Sequence, residues 1–235
     1  MSIRALLLAF LPAAFVALVA AAPAARAQAQ SPYGGTPPEG PLAALKAGDA
    51  EYYLHPVPEG WAWQLVDSEP PYHAITFLPE GQPRRGWSDG LVLGLRRDGA
   101  LSPQALLTWA ERRLATECRD LRRSGLEQGR SAEGWDEAWR LLACRSRRDD
   151  GRGEVQLLRA VQGEGAGYLI RRVWRTPAFD AAFPVGQSEV EVARGLLASG
   201  DPCRQDSAAR ACPPFTAMGL GSIEAAKPYG VFEIR

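Results

Sequence analysis

Four cysteines, Cys118, Cys144, Cys203 and Cys212, constrain this chain more than any other feature, because all of them follow an N-terminal segment with the form of an export signal. Arg4 precedes an apolar run from Ala5 to Ala22, and Ala25-Arg26-Ala27 supplies the small residues that a signal peptidase reads. Residues 1–27 are therefore expected to be a signal peptide cleaved after Ala27. A retained anchor is the competing reading, since the run approaches the roughly 20 residues needed to span a bilayer, but Pro12 interrupts it and Ala dominates its second half. No other segment is apolar enough for a transmembrane span.

An even number of cysteines in an exported chain reads as two disulfides, for which three pairings exist. Cys203 and Cys212 bracket a short polar loop, Arg204 to Ala211, whose ends meet at little cost, and this leaves Cys118 for Cys144. A zinc site is disfavoured. No cysteine pair has C-x-x-C spacing, and the histidines, His55 and His73, lie far upstream. The expected location is periplasmic or secreted.

Charge removes another class. The chain has 27 Lys plus Arg and 27 Asp plus Glu, and beyond Ala27 it holds 25 basic and 27 acidic side chains. Nucleic-acid binding thus has no bulk electrostatic support. The hydrophobic fraction of 46% suits a globular protein with one sizeable core.

Along the chain, residues 28–50 read as a flexible linker, because Gln28 to Pro41 holds four prolines and three glycines. Residues 51–200 read as a single α+β domain, and residues 201–235 as a disulfide-stapled C-terminal extension lying on its surface. Trp61, Trp63 and Leu65 alternate with polar or small residues, His73 to Leu78 forms a second short strand after a Pro70-Pro71 turn, and Leu91, Leu93 and Leu95 alternate again. Ser102-Pro103 starts a helix, in which Leu106, Ala110, Leu114 and Cys118 form one inward stripe. The segment Trp135 to Cys144 fits either period and is assigned as strand. Glu154 to Gln162 and Tyr168 to Arg175 are strands joined by Gly163-Glu164-Gly165-Ala166-Gly167, whose glycines are expected to supply the positive φ of a hairpin loop. A second helix runs from Gln187 to Ala198.

This order, three strands and a helix, then an antiparallel meander and a helix, resembles the PsbP-like α/β/α sandwich, also adopted by the periplasmic DcrB proteins. The local pattern is similar to a group of uncharacterised exported bacterial proteins in Gly60-Trp61, in Ile75-Thr76-Phe77-Leu78-Pro79-Glu80-Gly81-Gln82 with Trp87 five residues on, in Cys118, Trp139 and Cys144, and in Gly163, Tyr168 and Trp174-Arg175. The resemblance implies a central antiparallel sheet of about five to seven strands flanked by two main helices. It implies no activity.

Several constellations bear on chemistry. Gly86-Trp87-Ser88-Asp89-Gly90 matches the G-x-S-x-G string of serine hydrolases, whose nucleophile sits on a sharp turn between strand and helix. Here a loop precedes the string and a strand follows, and His73 lies before the serine rather than after it. Asp149, Asp150 and Glu154 offer carboxylates for calcium, but Arg147, Arg148 and Arg152 crowd the same turn with positive charge. Gly163, Gly165 and Gly167 fail the dinucleotide fingerprint because no helix follows them. Most of the seven tryptophans belong in a core; Trp87 stands in a loop beside Arg84 and Arg85, and these residues form the candidate surface for binding.

Charge is also segregated. Residues 28–111 carry net −5, 112–175 net +5, and 176–235 net −2, with Arg145, Arg147, Arg148, Arg152, Arg171, Arg172 and Arg175 concentrated in the middle. Such arginines meet an anionic surface or an acidic partner, or they pair with carboxylates within the fold, and internal pairing is favoured. The expectation is a non-catalytic periplasmic or secreted binding or accessory domain without metal or cofactor, whose partner is an envelope protein or an anionic surface. A serine hydrolase using Ser88 and an envelope-associated structural protein are the alternatives.

Overall fold

A computed structural model of the chain describes residues 42–48, 50–97, 101–212 and 231–233. The proposed signal peptide and the Pro/Gly-rich stretch through Pro41 lie outside the described residues. The larger sheet is built from β3 (Trp61–Glu69), β4 (Tyr72–Pro79), β5 (Asp89–Arg96), β6 (Leu121–Arg123), β7 (Glu127–Arg130), β8 (Asp136–Cys144), β9 (Gly153–Gln162) and β10 (Gly167–Thr176). All its pairings are antiparallel, in the order β3-β4-β5-β10-β9-β8-β6, with β7 pairing β8 beside β6. The protein is therefore α+β and mostly antiparallel, with eight strands in this sheet rather than five to seven. The excess comes from β6 and β7, three and four residues long and largely exposed, with no alternating apolar pattern to announce them.

Both faces of the sheet are covered, which explains why β9 is buried at nearly every position although its side chains alternate. Leu158 and Ala160 join a core under α1 (Pro103–Glu117), while Val155, Leu157 and Val161 join the opposite core. Ser102 Oγ accepts a hydrogen bond from Ala105 N (3.2 Å), Pro103 occupies the first turn, and Leu106, Leu107, Ala110 and Leu114 point inward. The opposite face carries α2 (Gln187–Ala198), which buries Ala193 and Leu197. Both expected disulfides are present, with Cα separations of 5.6 Å for Cys118–Cys144 and 4.8 Å for Cys203–Cys212.

The expected domain boundaries change at both ends. Leu42–Lys46 is not linker: it forms β1, with Ala43, Ala44 and Leu45 buried. It pairs with β2 (Glu51–Pro56), with β11 (Asp201–Arg204) on the other side of β2, and with β12 (Val231–Glu233) in parallel alongside β1. The C-terminal extension thus contributes two strands to a four-stranded sheet instead of lying on the surface. This small sheet packs on the larger one through Tyr53, whose ring stacks on Tyr168 at 5.0 Å and whose hydroxyl donates to Gly200 O (3.1 Å). Ala43, Leu45 and Tyr53 share a hydrophobic cluster with Ile75, Leu93 and Val161, so the two sheets form one body.

Candidate functional site

On the α1 face, strand alternation aims Glu154 and Gln156 of β9 and Arg171, Val173 and Arg175 of β10 toward the helix. The helix packs on β8, β9 and β10 and leaves the neighbouring floor of β4 and β5 beside a cleft of about 190 Å³. Register builds that floor: Arg171 lies opposite Leu158 and Val92, Val92 opposite Thr76, Val173 opposite Gln156, and Arg175 opposite Glu154.

The acidic groups of the cleft are already paired. Glu154, 3% exposed, accepts from Arg147 Nη1 (2.8 Å) and from Gln156 Nε2. Arg147 also binds Glu117 (3.0 Å) and grips Asp149 with Nε and Nη2 (3.0 and 2.9 Å). That grip holds the Asp149 carboxyl down at about 2. At the rim, Arg113 pairs with Glu69 (2.7 Å) and lies 3.6 Å from Asp67.

Arg171 and Arg175 are different. Arg171 donates from Nη2 to the Tyr72 hydroxyl (3.3 Å), and its buried Nε has no hydrogen-bond partner among the described residues. Arg175 spreads its guanidinium over the Trp87 ring at 4.1 Å. Its Nε lies 3.4 Å from Glu154 Oε2, an ion-pair distance without hydrogen-bond geometry, and that buried nitrogen is likewise without a hydrogen-bond acceptor.

The expected surface trio divides. Arg84 and Arg85 are exposed, and Arg84 Nε donates to Gln64 Oε1 (3.2 Å). Trp87 is only 7% exposed, which corrects its expected place on the surface. Gly86, at φ +77°, turns the chain, and Gly90 leaves the space the indole fills, since a Cβ there would stand 2.9 Å from Trp87. Arg152 pins the loop by donating to Gly86 O (3.0 Å) and Arg175 O (2.9 Å). The exposed tryptophan among the described residues is Trp63, 47% accessible on the edge strand β3.

Ser88 extends the β5–β10 ladder, its carbonyl accepting from Arg175 N (2.8 Å), and strand β5 follows it where a nucleophile elbow has a helix. His73 is level with Leu95 at the far end of β5, roughly 20 Å away at the usual strand rise. At the acidic turn, Asp149 is bound by Arg147, and Asp150 Oδ1 accepts from Arg152 N (3.0 Å).

Most arginines of the basic middle segment pair within the fold. Arg145 binds Asp120 (2.7 Å) and Asp180. Arg172 binds Asp89 (2.6 Å) between Trp61 and Trp174, where burial raises the Asp89 pKa and lowers that of Arg172. Arg159, 1% exposed, donates to Glu137 (2.8 Å), Asp201 (2.7 Å) and Leu197 O (2.9 Å), tying β9 to β8, β11 and the end of α2. Sequence reasoning missed this network, because its partners are 22 to 42 residues away; an arginine at a core-facing position of a buried strand was the available signal.

These features define an α+β protein with two disulfides, cross-links that persist in an oxidising, extracytoplasmic compartment. Among the described residues no helix is long and apolar enough to cross a membrane. No family model and no curated protein matches the chain. Among solved structures it is similar to the Ran-binding protein Mog1p of Saccharomyces cerevisiae, at 8% identity over 75% of this chain and 86% of that one, with a TM-score of 0.37, a likeness that carries no argument.

Proposed function

We propose that the protein is a non-catalytic binding or accessory domain of the periplasm or of the secreted fraction, built on a PsbP/DcrB-like sandwich, and that it binds through the cleft beside α1. The observation that carries this is Arg171, whose buried Nε lacks an acceptor and whose hydrogen-bond partner is the neutral Tyr72 hydroxyl, while Arg175 beside it shares Glu154 with Arg147 and the other carboxylates of the cleft are paired to Arg113 and Arg147. Export supports the reading, since residues 1–27 have the signal-peptide pattern and both disulfides need oxidation. Arg84 and Arg85 remain exposed beside the loop that carries Trp87 and serve as a secondary contact for an envelope protein or an anionic surface.

Affinity capture from crosslinked cells expressing the full chain tests this directly. The expected result is a processed protein beginning at Gln28 in the soluble envelope fraction, carrying a specific partner or ligand. Labelling by a serine-directed fluorophosphonate that disappears in Ser88→Ala would overturn the non-catalytic assignment. Persistent cofractionation with membranes after processing would favour an envelope-structural role instead.

A further inference from the structure

We infer that the cleft beside α1 takes a small neutral polyol, a molecule of one sugar-sized ring, whose hydroxyl groups bond to Arg171 and Thr76. This rests on the binding reading above and adds the chemistry of the ligand.

Charge points away from an ion. The four guanidiniums of the cleft, Arg113, Arg147, Arg171 and Arg175, meet Asp67, Glu117 and Glu154 within its lining, and Glu69 and Asp149 lie on Arg113 and Arg147 from outside it. Five carboxylates thus stand against four guanidiniums, and an anion finds no net positive field. A cation fares no better, since each carboxylate lies against an arginine. Hydrogen-bonding capacity nevertheless remains. Arg171 has the neutral Tyr72 hydroxyl as its hydrogen-bond partner, and Glu117, 43% accessible, gives one oxygen to Arg147 and keeps further acceptor sites. A hydroxyl accepts from one such group while donating to another, and it enters without the cost of dehydrating an ion.

Strand register brings the anchoring groups within reach of one ring. Thr76, Val92 and Arg171 lie side by side on β4, β5 and β10, so Thr76 and Arg171 flank Val92 with Cα atoms about 10 Å apart at the usual strand spacing. Arg171 leans back toward the central strand. Its Nη2 bonds the Tyr72 hydroxyl (3.3 Å), which lies over Gly94 of β5, where an added Cβ would stand 2.3 Å from that oxygen. The guanidinium is thereby drawn toward Thr76, which is 9% exposed and lines the same cleft. Ala110 and Leu114 of α1, with Val92 beneath them, offer apolar surface to the C–H groups of a ring. At about 190 Å³ the cleft is smaller than the roughly 300–1,000 Å³ of pockets for drug-sized ligands, which selects a single ring over an oligomer.

Isothermal titration of the protein purified from cells expressing the full chain tests the assignment, with D-glucose, D-ribose and myo-inositol as probes and acetate, inorganic phosphate and glycine as charged comparisons. The expected outcome is saturable binding of at least one polyol, with each charged compound at least about tenfold weaker. Because the ligand is neutral, its affinity should change by less than about twofold when salt rises from about 0.05 to about 0.5 M. Arg171→Gln should weaken binding by about tenfold or more, the loss of a charge-assisted bond, and Thr76→Val by about threefold or more, the loss of a neutral one. Arg130→Gln, on the exposed strand β7, should stay within about twofold. Near-ultraviolet circular dichroism must show each variant folded, and Thr76→Val, which nearly keeps the side-chain volume on a strand, carries the test if Arg171→Gln does not fold. Absence of saturable binding by all three polyols, a charged compound binding as tightly, a larger salt dependence, unchanged binding in Thr76→Val, or equal loss in Arg130→Gln would overturn the polyol assignment. If that happens while crosslinked cells still yield a specific partner, the binding-domain reading stands and only the ligand class falls; if capture also fails, both fall.

Discussion

Glu51 shows how a buried carboxylate is accommodated at single-residue resolution. It sits on β2 at 3% exposure and accepts from Tyr168 Oη (2.7 Å), Gly165 N (2.8 Å) and Glu164 N (3.0 Å), so the loop between β9 and β10 forms a cradle of amides around it. Close approach, rather than positive φ, explains Gly163, because neither it nor its loop neighbours has positive φ and a Cβ there would stand 2.2 Å from Glu51 Oε1. Gly163→Ala should therefore destabilise the protein by about 1–3 kcal/mol through strain against the carboxylate and the Tyr168 ring. Tyr168→Phe should lower stability by a similar amount, about 1–3 kcal/mol, by leaving a buried acceptor short of one donor. Urea unfolding of both variants checks these values, and a loss below about 0.5 kcal/mol for either would contradict the cradle.

At the scale of elements, α1 is held by its cap, its inward stripe and the Cys118–Cys144 bridge to β8. In the chain-entropy picture a bridge spanning 26 residues contributes about 3.5 kcal/mol, and one spanning 9 residues about 2.6 kcal/mol. Cys203 is 7% exposed on β11 and packs with Tyr52 and Leu54, so the second bridge fastens a strand of the small sheet as well as a loop. The Cys118→Ala/Cys144→Ala double variant should lose about 2–5 kcal/mol, and the Cys203→Ala/Cys212→Ala variant somewhat less, for reasons of loop length alone. Comparing chemical-denaturation midpoints decides this; a larger loss for the second pair would show that β11 matters beyond its cross-link. Ser102→Ala should remove about 1 kcal/mol by freeing an amide of the first turn.

Across the whole molecule, the seam between the two sheets is sensitive to acid. His55 is buried there, with Nδ1 2.7 Å from Pro56 O, and burial, reinforced by the positive charge of Arg159, holds its pKa down at about 4. The unfolded chain takes up a proton on this residue near 6.5, so between these values unfolding binds protons that the folded state does not. The contribution is fully present above pH 6.5 and is lost as pH falls toward 4, amounting to about 3 kcal/mol. His55→Asn should flatten the stability profile in that window, as measured by urea unfolding at stepped pH. An unchanged slope would show that His55 does not carry the acid sensitivity. Limited proteolysis should leave one resistant core that retains both sheets, because they share a hydrophobic cluster.

Elements with strong local patterns were legible in the sequence. The stripe of α1 with its Ser-Pro start, the span of α2 from Gln187 to Ala198, the hairpin of β9 and β10, and the two disulfide pairs all rest on interactions between residues close in the chain or on a simple choice of partners. The small sheet was not legible: β1 follows a proline-rich stretch, β2 carries Glu51 and His55 among its apolar residues, and both acquire partners near the far end of the chain. Trp87 was misplaced for a related reason, since whether a loop indole faces water depends on the room left by Gly90 and on Arg175 arriving from β10. The cleft follows the same rule. Composition revealed an excess of arginine in the middle segment, but which guanidiniums already have carboxylates is a three-dimensional question, because desolvation and ion pairing depend on neighbours through space rather than along the chain.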